Sequence, residues 1–592
     1  MTDSSQSTTP TYSPGKAPGE YRNSSAFAAI KNDGSVVTWG SNDFGGDSSA
    51  VADELNAEGT PAVTQVYSTE GAFAALREDG SVVAWGDPDY GGTYRNSVEN
   101  KIDGDGSPGV TQIFSTTRAF AALREDGSVV TWGRDKAYLD FHDDLYGGDS
   151  SAVADAINGN LAVTQIFSTE RAFAALREDG SVVTWGDDRY GSDSSAVAGQ
   201  LSSAVVEVSS TEKAFAALRE DGSVVTWGAA DYGGDSSVVS YDRSYSPSVS
   251  GEIDADDSPA VTQVFSTEKA FAALREDGSV VTWGAADHGG DSSVVGYRNG
   301  REYSSSVADK IDADGSPAVT QIFSTGKAFA ALREDGSVVT WGRDENSNYL
   351  SDKYGGDSSA VADEIDADGS PPVIKIYSTG KAFAALREDG SVITWGESLD
   401  GGDSGPVANT IDADGTPGVV HIFSTDAAFA ALREDGSVVT WGGGYGSGNG
   451  GDSRAVAGKI NAIGSPAVEQ VSTSSSAFAV LREDDSVVAW GNNSYGGDST
   501  DVADELSANV SAIASPFDFE TAEPPNEAPV ASDDTATTTS GDAVTIDVLA
   551  NDSDADDDGL SIQSPGNPAN GTASITDTDE LRYTPDAGFS GT

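Results

Sequence analysis

Ten tryptophans set the frame of this chain: Trp39, Trp85, Trp132, Trp185, Trp227, Trp283, Trp341, Trp395, Trp441 and Trp490. Their spacing runs from 42 to 58 residues, a period near 50, and each sits in a variant of one sentence, AFAALREDGSVVTWG. Self-similarity at such a period marks a tandem array, in which one supersecondary unit buries its apolar face only against its neighbours. With 592 residues the chain is also too long for one ordinary core.

The unit reads as a β-hairpin with a further strand before it. Ala270–Phe271–Ala272–Ala273–Leu274–Arg275–Glu276 is apolar almost without break, as suits a strand covered on both faces. Alanines flanking one phenylalanine predict close sheet-to-sheet packing with one large side chain per layer. Asp277–Gly278 is expected to form a two-residue type I′ turn, whose central residues both need positive φ. Ser279–Val280–Val281–Thr282–Trp283–Gly284 returns as a β-branched strand ending on an aromatic. Upstream, Val261–Thr262–Gln263–Val264–Phe265–Ser266 reads as a half-buried strand. The tenth copy has Asp484–Asp485 in place of Asp–Gly. Its turn should be weaker, although aspartate tolerates the left-handed region better than most residues. In the polar connector, Asp357 or Ser358 is positioned to cap a short helix with Val361 and Ile365 on one face. Insertions at 134–145 and 240–250 mark the connectors as an exposed rim.

LREDGSVVTWG, preceded by Ala-Val-Thr-Gln-Ile-Phe-Ser, resembles the RCC1 repeat over residues 21–515. The resemblance implies an all-β propeller, a ring of four-stranded blades, usually seven to a ring. There are departures. The G-x-x-H before the alanine strand is replaced by Ser-Thr-Glu-Lys-Ala-Phe, and the G-Q-L-G after Trp–Gly by Tyr-Gly-Gly-Asp-Ser-Ser. Nothing matches the features behind the founding member's nucleotide exchange on a small GTPase, so the fold carries over and the activity does not. Ten copies leave three arrangements open: a ten-bladed ring, seven blades plus three, or an open stack. Val510–Ser511–Ala512–Ile513–Ala514–Ser515 resembles the upstream strand without a hairpin after it, so it is expected to complete the first blade and close the ring. Against this, Tyr21 aligns with Tyr67, which would give the first copy a strand of its own.

Charge narrows the function classes. The 96 acidic residues against 33 basic give a formal net charge of −63, which repels nucleic acid and anionic membranes and attracts cations and basic partners. The chain contains no cysteine, so disulfide and thiolate chemistry are excluded. Residues 1–20 are expected to be disordered, lack the basic and apolar regions of a secretory signal, and leave any export route undefined. No apolar run approaches membrane-spanning length, so membrane insertion is not expected.

Composition changes at 516–529, a Pro/Glu-rich linker, and residues 530–592 resemble the cadherin-like or VCBS-like Ig-type modules of large bacterial surface proteins. The module carries the A-P-V-A-x-D-D opening, the V-L-x-N-D-x-D middle and the Y-T-P end, and it is expected to be a partial β-sandwich cut short before its last strand. Its loop Asn551–Gly559 holds five carboxylates, and Asp552, Asp554, Asp556 and Asp558 are the candidate calcium ligands. The acidic turns at Asp312–Asp314, Asp366–Asp368 and Asp412–Asp414 lack the later bidentate glutamate of a calcium loop and read as turn chemistry. His142, His288 and His421, the only histidines, have no partner at a motif spacing and read as ordinary substitutions. The Arg–Glu recurring before the turns suggests a strand-end ion pair or plain solubility. The recurring tryptophan is more cheaply explained as core than as a sugar-stacking platform. No catalytic constellation emerges. The sequence therefore reads as a non-enzymatic extracellular or cell-surface binding and adhesion scaffold for a protein or glycan. The alternative is an intracellular RCC1-like exchange factor for a small GTPase.

Overall fold

A computed structural model describes residues 23–513 with breaks in the connectors (57–58, 94–95, 103–107, 135–144, 237–238, 242–243, 247–248, 250–251, 254–258, 293–296, 299–300, 303–306, 313–315, 346–351, 367–369, 413–416, 445–447 and 462–464) and, further on, residues 536–538, 542–549, 568, 570–576, 581–586 and 588–589. The chain separates into two compact units, Met1–Asp518 and Phe519–Thr592.

In the first unit each repeat forms one antiparallel three-stranded sheet, and there are ten such sheets. We call them blades 1 to 10, with central strands Ala26–Lys31, Ala72–Arg77, Ala119–Arg124, Ala172–Arg177, Ala214–Arg219, Ala270–Arg275, Ala328–Arg333, Ala382–Arg387, Ala428–Arg433 and Ala477–Arg482. Blade 6 is typical: Val261–Ser266, Ala270–Arg275 and Val280–Gly284, with the middle segment central. The central strand is buried along its whole apolar length. Its side chains alternate: Ala270, Ala272 and Leu274 join the core shared with blade 7, while Phe271 and Ala273 join the core shared with blade 5. Methyl-sized groups on both sides let the sheets approach, and one phenylalanine per layer fills what remains. In every blade this phenylalanine stacks on the tryptophan of the return strand, at centroid distances of 5.1–5.3 Å.

Three local expectations are corrected. The blades implied by the family resemblance have four strands; those formed by the described residues have three. The connectors instead hold 3₁₀ turns and short α-helices, such as Ser359–Val361 followed by Ala362–Ile365, and three of them add a separate two-stranded ribbon. The hairpin loop is also not a two-residue type I′ turn. Gly278 N–H donates to the Arg275 carbonyl and Arg275 N–H to the Ser279 carbonyl, both at 2.9 Å. Of the two turn residues only Gly278 has positive φ, +77°. This is a three-residue loop, a type I turn closed by a left-handed residue. A Cβ at Gly278 would also collide with Ala318 of the next blade, so the glycine serves both shape and packing. Finally, the first strand is not a simple alternation. A bulge between Val261 and Gln263 shifts the register, so that Val261 and Val264 both reach the core.

Other expectations hold. Asp485 takes φ +59° at the glycine position of the tenth turn. Val361 and Ile365 pack in one core cluster, whereas the N-cap position Ser358 makes no side-chain cap bond and Asp357, one residue earlier, accepts from Ser359 N–H at 2.9 Å.

The ring closes. Val510–Ile513 pairs with Ala26–Lys31, so blade 1 is built from both ends of the array. Blade 10 packs on blade 1 through Ala477, Ala479 and Leu481 against Phe27, Trp39, Val510 and Ile513. Each of the ten indole N–H groups donates to a glycine carbonyl of the preceding blade's exit loop at 2.9–3.1 Å, Trp39 to Gly496 included. A ten-bladed ring is the arrangement adopted.

In the second unit the described strands are Val544–Ile546, Gly571–Ile575 and Leu581–Pro585, with the last between the other two. Gly571–Ile575 was not singled out from the sequence.

Candidate binding surfaces

The first strand of each blade lies innermost. Its terminal serine hydroxyl donates to the equivalent carbonyl of the preceding blade, from Ser115 to Ser68 through Ser424 to Ser378, at 2.6–2.9 Å. Two residues further on, a backbone belt runs from Ser24 through Glu70, Thr117, Glu170, Glu212, Glu268, Gly326, Gly380 and Asp426 to Ser475, N–H to carbonyl at 3.0–3.3 Å. The inner strands expose uncharged Thr–Gln pairs in blades 2, 3, 4, 6 and 7. The threonine hydroxyls turn back onto the central strand's leucine carbonyls, as Thr262 does to Leu274 at 3.1 Å.

The two ends of the central strands differ sharply in charge. One end carries the exposed Glu–Asp turns, where the aspartate accepts from the following serine, as Asp277 does from Ser279. Here the arginine bonds that serine or the turn aspartate, for example Arg387 Nε to Ser391 Oγ at 2.7 Å and Arg219 to Asp221 at 3.1 Å. The strand-end arginine thus reaches serine and aspartate in these copies, and not the adjacent glutamate considered from the sequence.

The other end, roughly 20 Å away along a six-residue strand, carries an arc that the sequence reading missed. The residue just before the central strand is basic in six consecutive blades: Arg118, Arg171, Lys213, Lys269, Lys327 and Lys381. All six are half-buried. Tyrosines of the exit loops alternate with them. Arg118 lies over Tyr90 and Tyr146 at 4.5 and 5.2 Å, Arg171 over Tyr146 and Tyr190 at 4.7 and 4.6 Å, and Lys213 over Tyr190 and Tyr232 at 4.9 and 4.6 Å. Lys269 covers Tyr232 at 4.9 Å, and Lys327 and Lys381 cover Tyr354 at 4.8 and 5.5 Å. Two positions depart from tyrosine. His288 is buried, its Nδ1 2.7 Å from Asp287, its Nε2 3.7 Å from Glu268. Burial holds its pKa below the usual histidine range, against the pull of Asp287. Asp400 faces Lys381 at 3.9 Å, and burial pushes its carboxyl up to about 6. Blades 9, 10, 1 and 2 have Ala427, Ser476, Ser25 and Gly71 at the basic position. The signal was in the sequence, as a basic residue ahead of AFAA and a tyrosine ahead of Gly-Gly-Asp, but only the ring brings the two together.

The remaining candidates separate clearly. All ten tryptophans are buried, which removes them as a sugar platform. His421 packs on Tyr377 and Phe423 in the inner strands, with burial holding it down to about 4. His142 lies outside the described residues, as do Asp552, Asp554, Asp556 and Asp558. Asp312, Asp366 and Asp412 follow the connector turns, while Asp314, Asp368 and Asp414 are outside the described residues. Among the described residues, no group of three His, Asp or Glu side chains is placed to hold a metal, and no helix is long and apolar enough to cross a membrane.

Residues 468–496 match the family model of the regulator of chromosome condensation (RCC1) repeat. The array is a propeller whose tenth repeat is similar to the RCC1 repeat. Residues 526–592 match the bacterial Ig domain. No curated protein sequence matches the chain. Among solved structures, Prp20p of Saccharomyces cerevisiae, described with its binding to Gsp1p and histones, is 16% identical over 55% of this chain and 82% of its own, with a TM-score of 0.30. The CRINKLY WD40 ectodomain of the Arabidopsis thaliana receptor kinase ACR4 is 15% identical over 55% and 90%, with a TM-score of 0.26. Human WBSCR16 is 16% identical over 64% and 89%, with a TM-score of 0.28.

Proposed function

We propose that this propeller is a non-enzymatic binding and adhesion scaffold, acting outside the cell or at its surface on a protein or glycan partner. The observation that carries the reading is the division of labour within the repeat. The tryptophan, phenylalanine, glycine and serine of the repeat signature are engaged in holding blade to blade, so chain-specific variation is left to the connectors and to one end of the strands. Rigid rings with variable rims suit recognition. The bacterial Ig-type module that follows supports a surface setting. Calcium at Asp552, Asp554, Asp556 and Asp558 belongs to the same proposal, because four carboxylates in one loop suit a hard cation.

The test is capture of envelope and cytosolic fractions on the immobilised full chain, first with calcium and then with chelator. Retention of an identified envelope polysaccharide or protein is the expected result, and release by chelator would place calcium in the contact. Retention of a small GTPase whose nucleotide exchange the chain accelerates would overturn the proposal.

A further inference from the structure

In a protein of net charge −63, six basic residues in consecutive blades at one channel mouth need a reason. Gluing the blades together is not enough. Blades 9, 10, 1 and 2 are held by the same indole–carbonyl bonds and the same kind of core without a cation at this position. Desolvating a lysine between two phenol rings also costs hydration, which a structural role does not require. The cations are therefore an addition to the ring and not a condition of it, whereas Tyr146, Tyr190 and Tyr354 belong to the blade cores.

Its geometry restricts what it can take. Each cation is separated from the next by a whole ring, a tyrosine or, between Lys269 and Lys327, the imidazole of His288, so positive charges recur once per blade. An extended acidic peptide carries its same-face carboxylates about 7 Å apart, closer than two cations with a ring stacked between them. The ring faces are already occupied by the cations, so nucleobases cannot stack there as they do on open aromatic platforms. Glu170, Glu212 and Glu268 sit beside three of the six cations and disfavour densely charged chains such as nucleic acid or polyphosphate. What fits is a polymer with sparse carboxylates and many neutral hydroxyls. Its charges would meet the lysine and arginine heads, and its neutral sugars would span the gaps between them.

The geometry points to an acidic polysaccharide in which uronates alternate with neutral sugars as the ligand of the Tyr–cation arc across blades 3 to 8. The inference rests on the binding-scaffold reading and names the class of its partner. Binding of an alternating uronate–neutral sugar polysaccharide to the full chain is measured by calorimetry, beside neutral dextran, polyglutamate and single-stranded DNA. The variant Lys213→Ala/Lys269→Ala/Lys327→Ala is expected to lose at least tenfold in affinity and to show a shallower salt dependence, with dextran, polyglutamate and DNA bound weakly or not at all. Lys213→Arg is expected to bind as the parent does, because blades 3 and 4 already use arginine there. Thermal unfolding of each variant, and the single change Lys327→Gln with an expected loss of about threefold, keep a folding defect from standing in for lost binding. The alternating polysaccharide bound equally by the parent and the triple variant overturns the inference, and so does no binding of it at all. Polyglutamate or DNA bound as tightly with the same sensitivity assigns the arc to another class of polymer. An envelope ligand captured equally by parent and triple variant leaves the scaffold reading standing and removes this one.

Discussion

Blades 2 to 10 are each cut from one continuous stretch of chain, whereas blade 1 takes two strands from one end of the array and its third from the other. The comparison shows where a ring of near-identical parts is weakest. The contiguous blades close short loops, and their inner strands hold six residues linked by hydroxyl bonds of 2.6–2.9 Å through blades 2 to 9. The closing strand Val510–Ile513 holds four. At this seam Ser472 reaches the Ile513 carbonyl only at 3.5 Å, and Gln470 compensates by bonding both the N–H and the carbonyl of Ile513, at 3.1 and 3.3 Å. The non-glycine turn at Asp485 faces the same seam, where it accepts from Asn32 Nδ2 at 3.2 Å. Loop-closure entropy grows only slowly with loop length, so the seam is weakened by its few contacts more than by the length of chain it closes.

The largest test removes the closing strand. Deleting 510–513 uncovers Phe27 and Trp39 and gives up the burial of Val510 and Ile513, at about 1.5–3 kcal/mol per side chain. The urea midpoint is expected to fall by the equivalent of about 3–6 kcal/mol. An unchanged midpoint would mean that blade 1 does not need its third strand.

Next comes the pair Trp39→Phe and Trp283→Phe. Each gives up one indole hydrogen bond, about 1 kcal/mol, and leaves a smaller ring in the core. Faster amide exchange confined to blades 10 and 1 is expected for Trp39→Phe, and exchange close to the parent's for Trp283→Phe. Equal spread from both sites would make the seam as strong as any other interface.

A smaller effect lies in the turns. Asp485→Gly should stabilise by up to about 1 kcal/mol, since it removes a side chain from the left-handed region. Gly278→Ala should destabilise by more than that, because strain at φ +77° is added to a collision with Ala318. Both are read as shifts in melting temperature.

The smallest effect per residue is acidic. Hydrogen bonds from the following serine hold Asp33, Asp179 and Asp221 below the usual carboxylate range. A depressed folded-state pKa contributes stability above the unfolded value near 3.9, and that stability is lost as pH falls through the folded value. Melting temperature is expected to decline below about pH 4, and replacing the paired serines, as in Ser181→Ala, should flatten that decline.

The array, the central strand and the closing strand could all be read from the sequence, because each is a local pattern or a repeat of one. The turn type could not. Asp-Gly serves both a two-residue loop and a three-residue loop with a left-handed glycine, and the contact of Gly278 with Ala318 of the next blade is visible only in the fold. The bulge at Thr262 was hidden for a similar reason, since only core packing shows that Val261 and Val264 share a face. The Tyr–cation arc is the clearest case. Lys213 and Tyr190 belong to different repeats, and a period read along the chain does not show which members of adjacent copies touch.

The central claim is closure, and a cysteine-free chain allows a direct test. Ile30 and Ala512 are register partners across the seam. The double variant Ile30→Cys/Ala512→Cys, oxidised mildly, is expected to form one intrachain disulfide joining the two ends of the array, seen as a linked peptide pair by mass spectrometry. Partners in a sheet lie within disulfide reach. Two free thiols under the same oxidation, with the remaining blades folded, would contradict the closed ring.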